Sequence, residues 1–325
     1  MASITYREAV ARALDEELAR DENVIFFGED VAKAGGVFKV TPGLYEKHGP
    51  SRVRDTPISE TAIVGAGVGA AVTGLRPVVE LMFADFAAVC LDQIVNQAAK
   101  LRYMSGGQLN VPLTIRAAQG GGAGFASQHS QCLETYFMHT PGLKVVVPST
   151  PADVLGLLKS AIRDDNPIVF LEHKLQYAER GEVPDSEHLV PLGVARTVRE
   201  GSDVTIVAAQ RMVGVATRAA ETLATEGISC EVIDPRTLVP LDLDTIIDSV
   251  KKTGRLVTVE ETMHAGGWGS EIATRVTDEA IWYLEGPVVR VTMGHSIIPF
   301  SEPLETHLIP KERDGIDAIR RVLEP

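Results

Sequence analysis

Apolar and polar positions along this chain alternate with two different periods. Val10, Leu14 and Leu18 recur at i+4 spacing, which puts them on one face of a helix. Thr5 and Glu8, just before them, have the spacing of a capping box and predict the helix start. The next apolar run, Val24 to Phe27, is short, unbroken and closed by Gly28, as in a strand buried on both faces. The rhythm then repeats. Residues 65–74, 87–103 and 151–163 predict helices, and 77–81, 111–115, 143–147 and 167–171 predict strands. Strands alternating with helices imply a parallel sheet covered on both faces.

Residues 173–190 break the rhythm. The segment is polar, carries Gly181 and Pro184, and is followed by Pro191, so it is expected to be a linker. A second alternating unit follows, with strands at 203–208, 229–233, 255–259 and 288–292 and helices at 211–225, 242–252, 268–283 and 313–323. The expected architecture is therefore α/β, with two parallel-sheet domains at 1–187 and 188–325.

Composition narrows the function classes. The formal net charge is -13, which argues against a nucleic-acid surface and against docking on anionic lipid. Cys90, Cys132 and Cys230 are far apart and odd in number, so neither a disulfide framework nor a zinc site is expected, and the chain is expected to be cytoplasmic. Residues 1–5 show no basic stretch followed by an apolar run, so no signal peptide is expected. No apolar run is long enough for a membrane span.

Four segments carry candidate chemistry. Gly65, Gly67 and Gly69 are spaced G-x-G-x-G rather than as a dinucleotide fingerprint, and Pro57–Glu60 before them is no buried strand. A nucleotide site is rejected; the Gly65, Gly69 and Thr73 face is expected to admit a close helix contact within the domain or across a subunit boundary. Glu60, after Ser59 as a possible N-cap, is either a first-turn acid favoured by the helix dipole or a carboxylate aimed into a cleft, where it could exchange a proton with a ring nitrogen. Residues 117–131 form a glycine-rich loop after a strand, with His129 on its far side as either a capping histidine or a functional one. Asp164-Asp165-Asn166-Pro167 reads as a turn, although its oxygens could also hold a hard cation. Neither a phosphate-binding P-loop nor the G-D-G…N-N pattern of thiamine enzymes occurs.

Taken in order, several motifs resemble one family over almost the whole chain. They are Phe27-Gly28-Glu29-Asp30-Val31, Asp55-Thr56-Pro57-Ile58-Ser59-Glu60, Gln128-His129-Ser130-Gln131, Pro141-Gly142-Leu143-Lys144-Val145-Val146, Lys159-Ser160-Ala161-Ile162-Arg163-Asp164, Asp234-Pro235-Arg236-Thr237-Leu238 and Thr258-Val259-Glu260-Glu261. The chain is similar to the beta subunits of the thiamine-diphosphate-dependent, decarboxylating component of 2-oxo acid dehydrogenase complexes, of the pyruvate, acetoin and branched-chain types. The resemblance implies a transketolase-like pyrimidine-binding domain followed by a transketolase C-terminal-like domain. It also implies an alpha-2, beta-2 tetramer, a lipoyl-bearing acyltransferase partner and a small-molecule substrate, with no nucleic acid and no membrane.

By the same resemblance, the alpha subunit holds the cofactor's diphosphate and its magnesium, which accounts for the missing G-D-G pattern. Glu60 matches the glutamate that hydrogen-bonds the aminopyrimidine ring nitrogen, Phe86 the aromatic packed on that ring, and Met82 another pocket wall. His129 matches the histidine facing the substrate and the lipoyl group. Leu113, Ala161, Asp164 and Asn166 match a potassium-binding turn, mostly through carbonyl oxygens. Val89 departs from the glutamine of some pyruvate-type relatives, and the tail Gly294–Phe300 lacks the commoner Asp/His-Thr-Pro form. The run Leu171-Glu172-His173-Lys174 is closer to acetoin- or pyruvate-type chains than to branched-chain ones. The competing expectations are a branched-chain enzyme, a non-catalytic scaffold for an alpha partner, and a self-sufficient transketolase-like enzyme.

Overall fold

The computed structural model describes residues 1–324. By internal contacts the chain divides into two units: Met1–Gln119 with Tyr136–Leu192, and Gly120–Thr135 with the chain from Gly193 onward. The first unit thus runs past the boundary expected at 187/188. The glycine-rich loop, expected in the first domain, belongs with the second. Its amides are bound by carboxylates of that unit, a pairing that no local sequence pattern announces.

In the first unit the helix Tyr6–Arg20 starts as its capping box predicts. The Glu8 amide donates to Thr5 Oγ1 and the Thr5 amide donates to Glu8 Oε2 at 2.6 Å. Its apolar face, Val10, Leu14 and Leu18, packs with Val154, Leu158 and Ile162 of the helix Pro151–Arg163 in one buried core. The sheet runs in the order Lys144–Val146, Ile168–His173, Thr114–Gln119, Arg76–Leu81, Val24–Gly28, Val53–Asp55, every neighbouring pair parallel. Strands such as Val24–Gly28 are buried along their whole length, as in a sheet covered on both faces.

Two expected elements differ. The helix expected at 87–103 is divided into a 3-10 turn Ala84–Ala88, a π-helical turn Gln93–Ala98 and a short helix Leu101–Met104. Within it the Ala99 amide reaches back to the Ile94 carbonyl, one residue farther than an α-helix allows. The segment expected to be a linker carries a 3-10 turn Lys174–Ala178 and a strand Arg180–Val183, which pairs antiparallel with Ala2–Thr5. Burial of Tyr177, whose hydroxyl donates to Glu172, fixes that stretch.

The second unit has a sheet ordered Val289–Met293, Leu256–Met263, Val204–Ala208, Cys230–Asp234, Arg196–Arg199, with only the last strand antiparallel to its neighbour. The helices Arg211–Ala224 and Glu312–Leu323 contribute Ala216, Ala219, Ala220, Ile319 and Val322 to its buried core. Both units are α/β with parallel sheets as expected, apart from the antiparallel edge strand Arg196–Arg199.

The helix Glu60–Val72 carries the small-residue face. The tight contact within the chain falls on Gly67, where an added Cβ would lie 2.9 Å from both Leu113 Cδ1 and Val79 Cγ1. At Gly69 nothing comes within 4 Å, and at Gly65 only Gln93 approaches, at 3.4 Å. Gly67→Leu is expected to destabilise the chain by about 1–3 kcal/mol through overpacking. Gly69→Leu should leave the stability of the isolated chain unchanged, since that face is open within it, and act only where a subunit covers the face. Urea denaturation of the two variants checks the contrast.

Candidate active site

Three acidic or aromatic side chains follow the C-terminal ends of three adjacent parallel strands, where open α/β sheets place ligands. Glu29 follows Val24–Gly28, Glu60 follows Val53–Asp55 by a short turn, and Phe86 follows Arg76–Leu81. A strand therefore does precede the glycine-bearing helix, but its glycines lie in the helix interior, not at the strand-to-helix turn.

Glu60 is the first residue of its helix and is 8% exposed. Ser59 occupies the N-cap but makes no side-chain capping bond, so the helix dipole acts on Glu60 without that screen. Among the described residues the Glu60 carboxylate takes no hydrogen bond. Its charge is felt nearby. Burial, then Glu60, then Asp30 raise the carboxyl of Glu29, against the Ser59 backbone amide. Burial first, and Glu60 second, push the Cys90 thiol up to about 12, so Cys90 is a neutral wall.

The turn bearing Phe86 is tied to this helix. Thr61 Oγ1 donates to the Val89 carbonyl at 2.9 Å, and Cys90 Sγ lies 3.7 Å from the Phe86 carbonyl. Phe86 is half-buried and meets Phe83 edge-on, with ring centroids 5.8 Å apart. Phe83 is packed in turn by Phe38 at 5.5 Å, and Lys174 Nζ stands 5.5 Å over its ring. Met82 is half-buried directly after the Arg76–Leu81 strand. Val89 is 59% exposed. A groove of about 590 Å³ on the same unit is lined by Ile25, Phe27, Ala62, Ile63, Ala66 and Ala70 among others, but not by Glu60. It is an apolar face of the helix rather than the acidic site.

The turn expected to hold potassium is closed largely by its own bonds. Asp164 accepts from the Asn166 amide and from Asn166 Nδ2, both at 2.8 Å, and pairs with Lys144. Burial opposes its ionisation, but Lys144 and Asn166 outweigh it and hold the carboxyl below the usual range. Asn166 Oδ1 accepts from Arg102, the Leu113 carbonyl from the Ile168 amide, and the Ala161 carbonyl from the Asp164 amide. A cation here would therefore meet carbonyl lone pairs, not free side chains. Among the described residues no group of three His, Cys, Asp or Glu side chains is placed to hold a metal.

His129 lies in the second unit, half-buried on the glycine-rich loop. Ser127 and Gln131, on either side of it in the chain, line a hollow of about 440 Å³ with Met263 and His295 to Ile298. The tail Gly294–Phe300 thus meets the loop within one unit.

Comparison with known proteins decides the family. Residues 2–179 match the family "Transketolase, pyrimidine binding domain" and residues 193–314 match "Transketolase, C-terminal domain". The chain is 47% identical over 331 residues to the acetoin:2,6-dichlorophenolindophenol oxidoreductase subunit beta of Cupriavidus necator, covering 99% of this chain and 98% of that protein. It is 48% identical over 319 residues to the pyruvate dehydrogenase E1 component subunit beta of Rickettsia felis, covering 98% of each. This chain belongs to the beta-subunit family of pyruvate- and acetoin-type dehydrogenases. The family is a thiamine-diphosphate-dependent one with a transketolase-like fold. A solved split-gene transketolase, described as an inactive beta4 tetramer, superposes on this beta-subunit-family chain with a TM-score of 0.81 at 27% identity, over 98% of both chains.

Within that frame, sequence reasoning singled out Glu60 and Phe86 and missed Glu29, Phe83 and Cys90. Glu29 had a signal, since an acid directly after a buried strand is unusual. Phe83 and Cys90 had none, because an apolar residue in an apolar stretch looks like core. Among the described residues no helix is long and apolar enough to cross a membrane.

Proposed function

We propose that this chain is the catalytic beta subunit of a 2-oxo acid or acetoin dehydrogenase, cytoplasmic and active with an alpha subunit in an alpha-2, beta-2 tetramer. The observation that carries the reading is Glu60: a nearly buried carboxylate at a helix start with no protein hydrogen-bond partner among the described residues, on a helix tied through Thr61 to the turn that bears a braced aromatic ring. Such a carboxylate is completed by a heteroaromatic N–H or ring nitrogen, and the flat face of Phe86 is completed by stacking. The aminopyrimidine of thiamine diphosphate fits this pair. When bound, thiamine diphosphate supplies a nucleophilic carbon for cleavage next to a carbonyl.

Glu60 would hold or release a proton at the pyrimidine ring nitrogen, beside the acid Glu29, whose carboxyl burial and then Glu60 raise. Phe86 fixes the plane of the ring, with Phe83 behind it, and Met82 closes the wall. His129 would carry a proton to the acceptor sulfur when the acyl group passes to a lipoyl arm, since an imidazole can both donate and accept one. The diphosphate and its magnesium fall to the alpha subunit, and a potassium ion in the Leu113, Ala161, Asp164 and Asn166 turn would stiffen the sheet edge. The three free cysteines suit a reducing compartment.

Two measurements test this reading. The isolated chain is expected to bind thiamine diphosphate only weakly, because its diphosphate-binding residues lie elsewhere; calorimetric binding in the micromolar range without an alpha subunit overturns the shared site. Profiling the reconstituted tetramer with pyruvate, acetoin and branched-chain 2-oxo acids should give turnover with one of the first two. No turnover on any of them sinks the enzyme reading and leaves the scaffold. In that tetramer His129→Ala should depress reductive acylation of a free lipoyl domain far more than decarboxylation with an artificial electron acceptor. An equal fall in both assays assigns His129 to the decarboxylation step or to local folding.

A further inference from the structure

The glycine-rich loop is built like an anion-binding cradle that the chain fills with its own carboxylates. Gly120, Gly122 and Gly124 have φ of +93°, +87° and +70°, which turn successive amides toward one side. The Gly122 amide donates to Glu305 Oε1 at 2.7 Å and the Gly124 amide to Glu305 Oε2 at 3.0 Å. The Gly121 amide donates to Glu261 Oε1 at 2.6 Å. Glu305 is 1% exposed and Glu261 is 6% exposed. Carboxylates that far from water are tolerable only when hydrogen-bonded or paired. The loop amides provide those bonds, and Arg211 stands 3.8 Å from Glu261.

The two acids come from elements with no other evident business at the loop. Glu261 lies on the central strand Leu256–Met263, and Glu305 on the short helix Glu302–Leu308 that follows the tail. Both converge on Gly121: a Cβ added there would lie 3.4 Å from Glu305 Oε1 and 3.6 Å from Glu261 Oε1, in ordinary contact with each. Past the cradle, Ala126 is held at φ +62°, a conformation that a non-glycine residue adopts only when its surroundings impose it. At the other end the Gly120 amide meets the Gln131 carbonyl at 3.5 Å and closes the neck of the loop. The stretch from Ser127 to Ser130, with His129 inside it, is therefore pinned on both sides.

We infer that Glu305 and Glu261 are positioning residues: by binding the amides of Gly121, Gly122 and Gly124 they fix the loop that carries His129, and so set the place of its imidazole. Glu305 does most of this, because its two oxygens span two amides across the turn. The catalytic consequence rests on the function proposed above; the conformational one does not.

The test therefore has two layers. On the full chain without partner or substrate, Glu305→Ala should speed amide exchange at Gly122 and Gly124 at least about tenfold, the size of a lost charge-assisted hydrogen bond. Glu305→Gln keeps one acceptor and should release one of the two amides while leaving the melting temperature close to wild type. In both variants the ring resonances of His129, read by NMR of histidine-labelled protein, should move toward solvent-exposed values. Wild-type exchange at these glycines, or loosened glycines with an unmoved His129 signal, overturns the inference. Should Glu305→Ala not fold, Glu305→Gln and Glu261→Gln decide it by the same two readouts. In the reconstituted tetramer Glu305→Gln should lower kcat for reductive acylation of a lipoyl domain, and Glu305→Gln with His129→Ala should be no worse than His129→Ala alone. Multiplied losses in the double variant place Glu305 outside the action of His129 and overturn the positioning role. Absence of turnover in the wild-type tetramer counts against the proposed function, while the exchange and NMR results still judge the loop.

Discussion

Glu60→Gln is expected to lower turnover of the assembled enzyme about 10²- to 10⁴-fold, the range of a positioned acid–base group, while leaving cofactor affinity within a small factor. The amide preserves the size of the side chain, and since the carboxylate takes no hydrogen bond among the described residues, no protein bond is broken. What is lost is the negative charge and the proton shared with a ring nitrogen. Exchange of the proton on the cofactor's reactive carbon, followed by rapid quench and NMR, should fall in step with turnover. Wild-type exchange in the variant would falsify the role assigned to Glu60. A second readout lies within the chain. Glu60 is one of the causes that raise Glu29, so its neutralisation should bring the Glu29 carboxyl back down toward its ordinary range.

Arg116→Met should be the most destabilising single change in the first unit. Arg116 is a fully buried guanidinium on the strand Thr114–Gln119. Its Nε and Nη2 bind Glu172 at 2.7 and 2.8 Å, and its Nη1 binds Glu80 on the neighbouring strand. Tyr177 donates to the same Glu172 carboxylate at 2.9 Å. Removing the cation leaves two buried carboxylates facing each other, a loss of about 3–5 kcal/mol. Burial already pushes the Glu80 carboxyl up against the pull of Arg116. Without Arg116 the folded-state value of Glu80 rises further above its unfolded one, so the unfolded chain holds fewer protons. The deficit should then shrink as pH falls and deepen as it rises. Urea midpoints measured across pH check both size and slope, and adding Glu80→Gln and Glu172→Gln should restore most of the loss. A variant with wild-type stability would show that the cluster contributes nothing net.

The local elements of this chain were legible because they depend on short-range physics. Thr5 and Glu8 are neighbours in sequence, and the bonds they make are the ones their spacing implies. Unbroken apolar runs such as Val24–Gly28 became the buried parallel strands, since only a sheet covered on both faces keeps such a run dry. The segment at 87–103 misled because its apolar positions fit a helical face. Nothing in that pattern signals the π-turn at Gln93–Ala98. The close contact at Gly67 was not signalled either: spacing gives a face, but not which face meets the sheet.

For the candidate site the division is sharper. The sequence by itself determined two α/β units, the family, and Glu60 as the acid at a helix start, because each follows from periodicity, from motifs in order, or from position next to a cap. Only the tertiary structure decided that Glu60 lies nearly buried without a hydrogen bond among the described residues, that Glu29 and Cys90 share its surroundings, and that Phe83 braces Phe86. It likewise decided that the glycine-rich loop belongs with Glu261 and Glu305, which lie 140 and 183 residues from the glycines they bind. The physical reason is the range of the forces. Capping, periodicity and turn preference act over a few residues and leave a mark in the sequence, whereas desolvation and pairing of charge depend on which groups chain topology brings together, and that is written only in the fold.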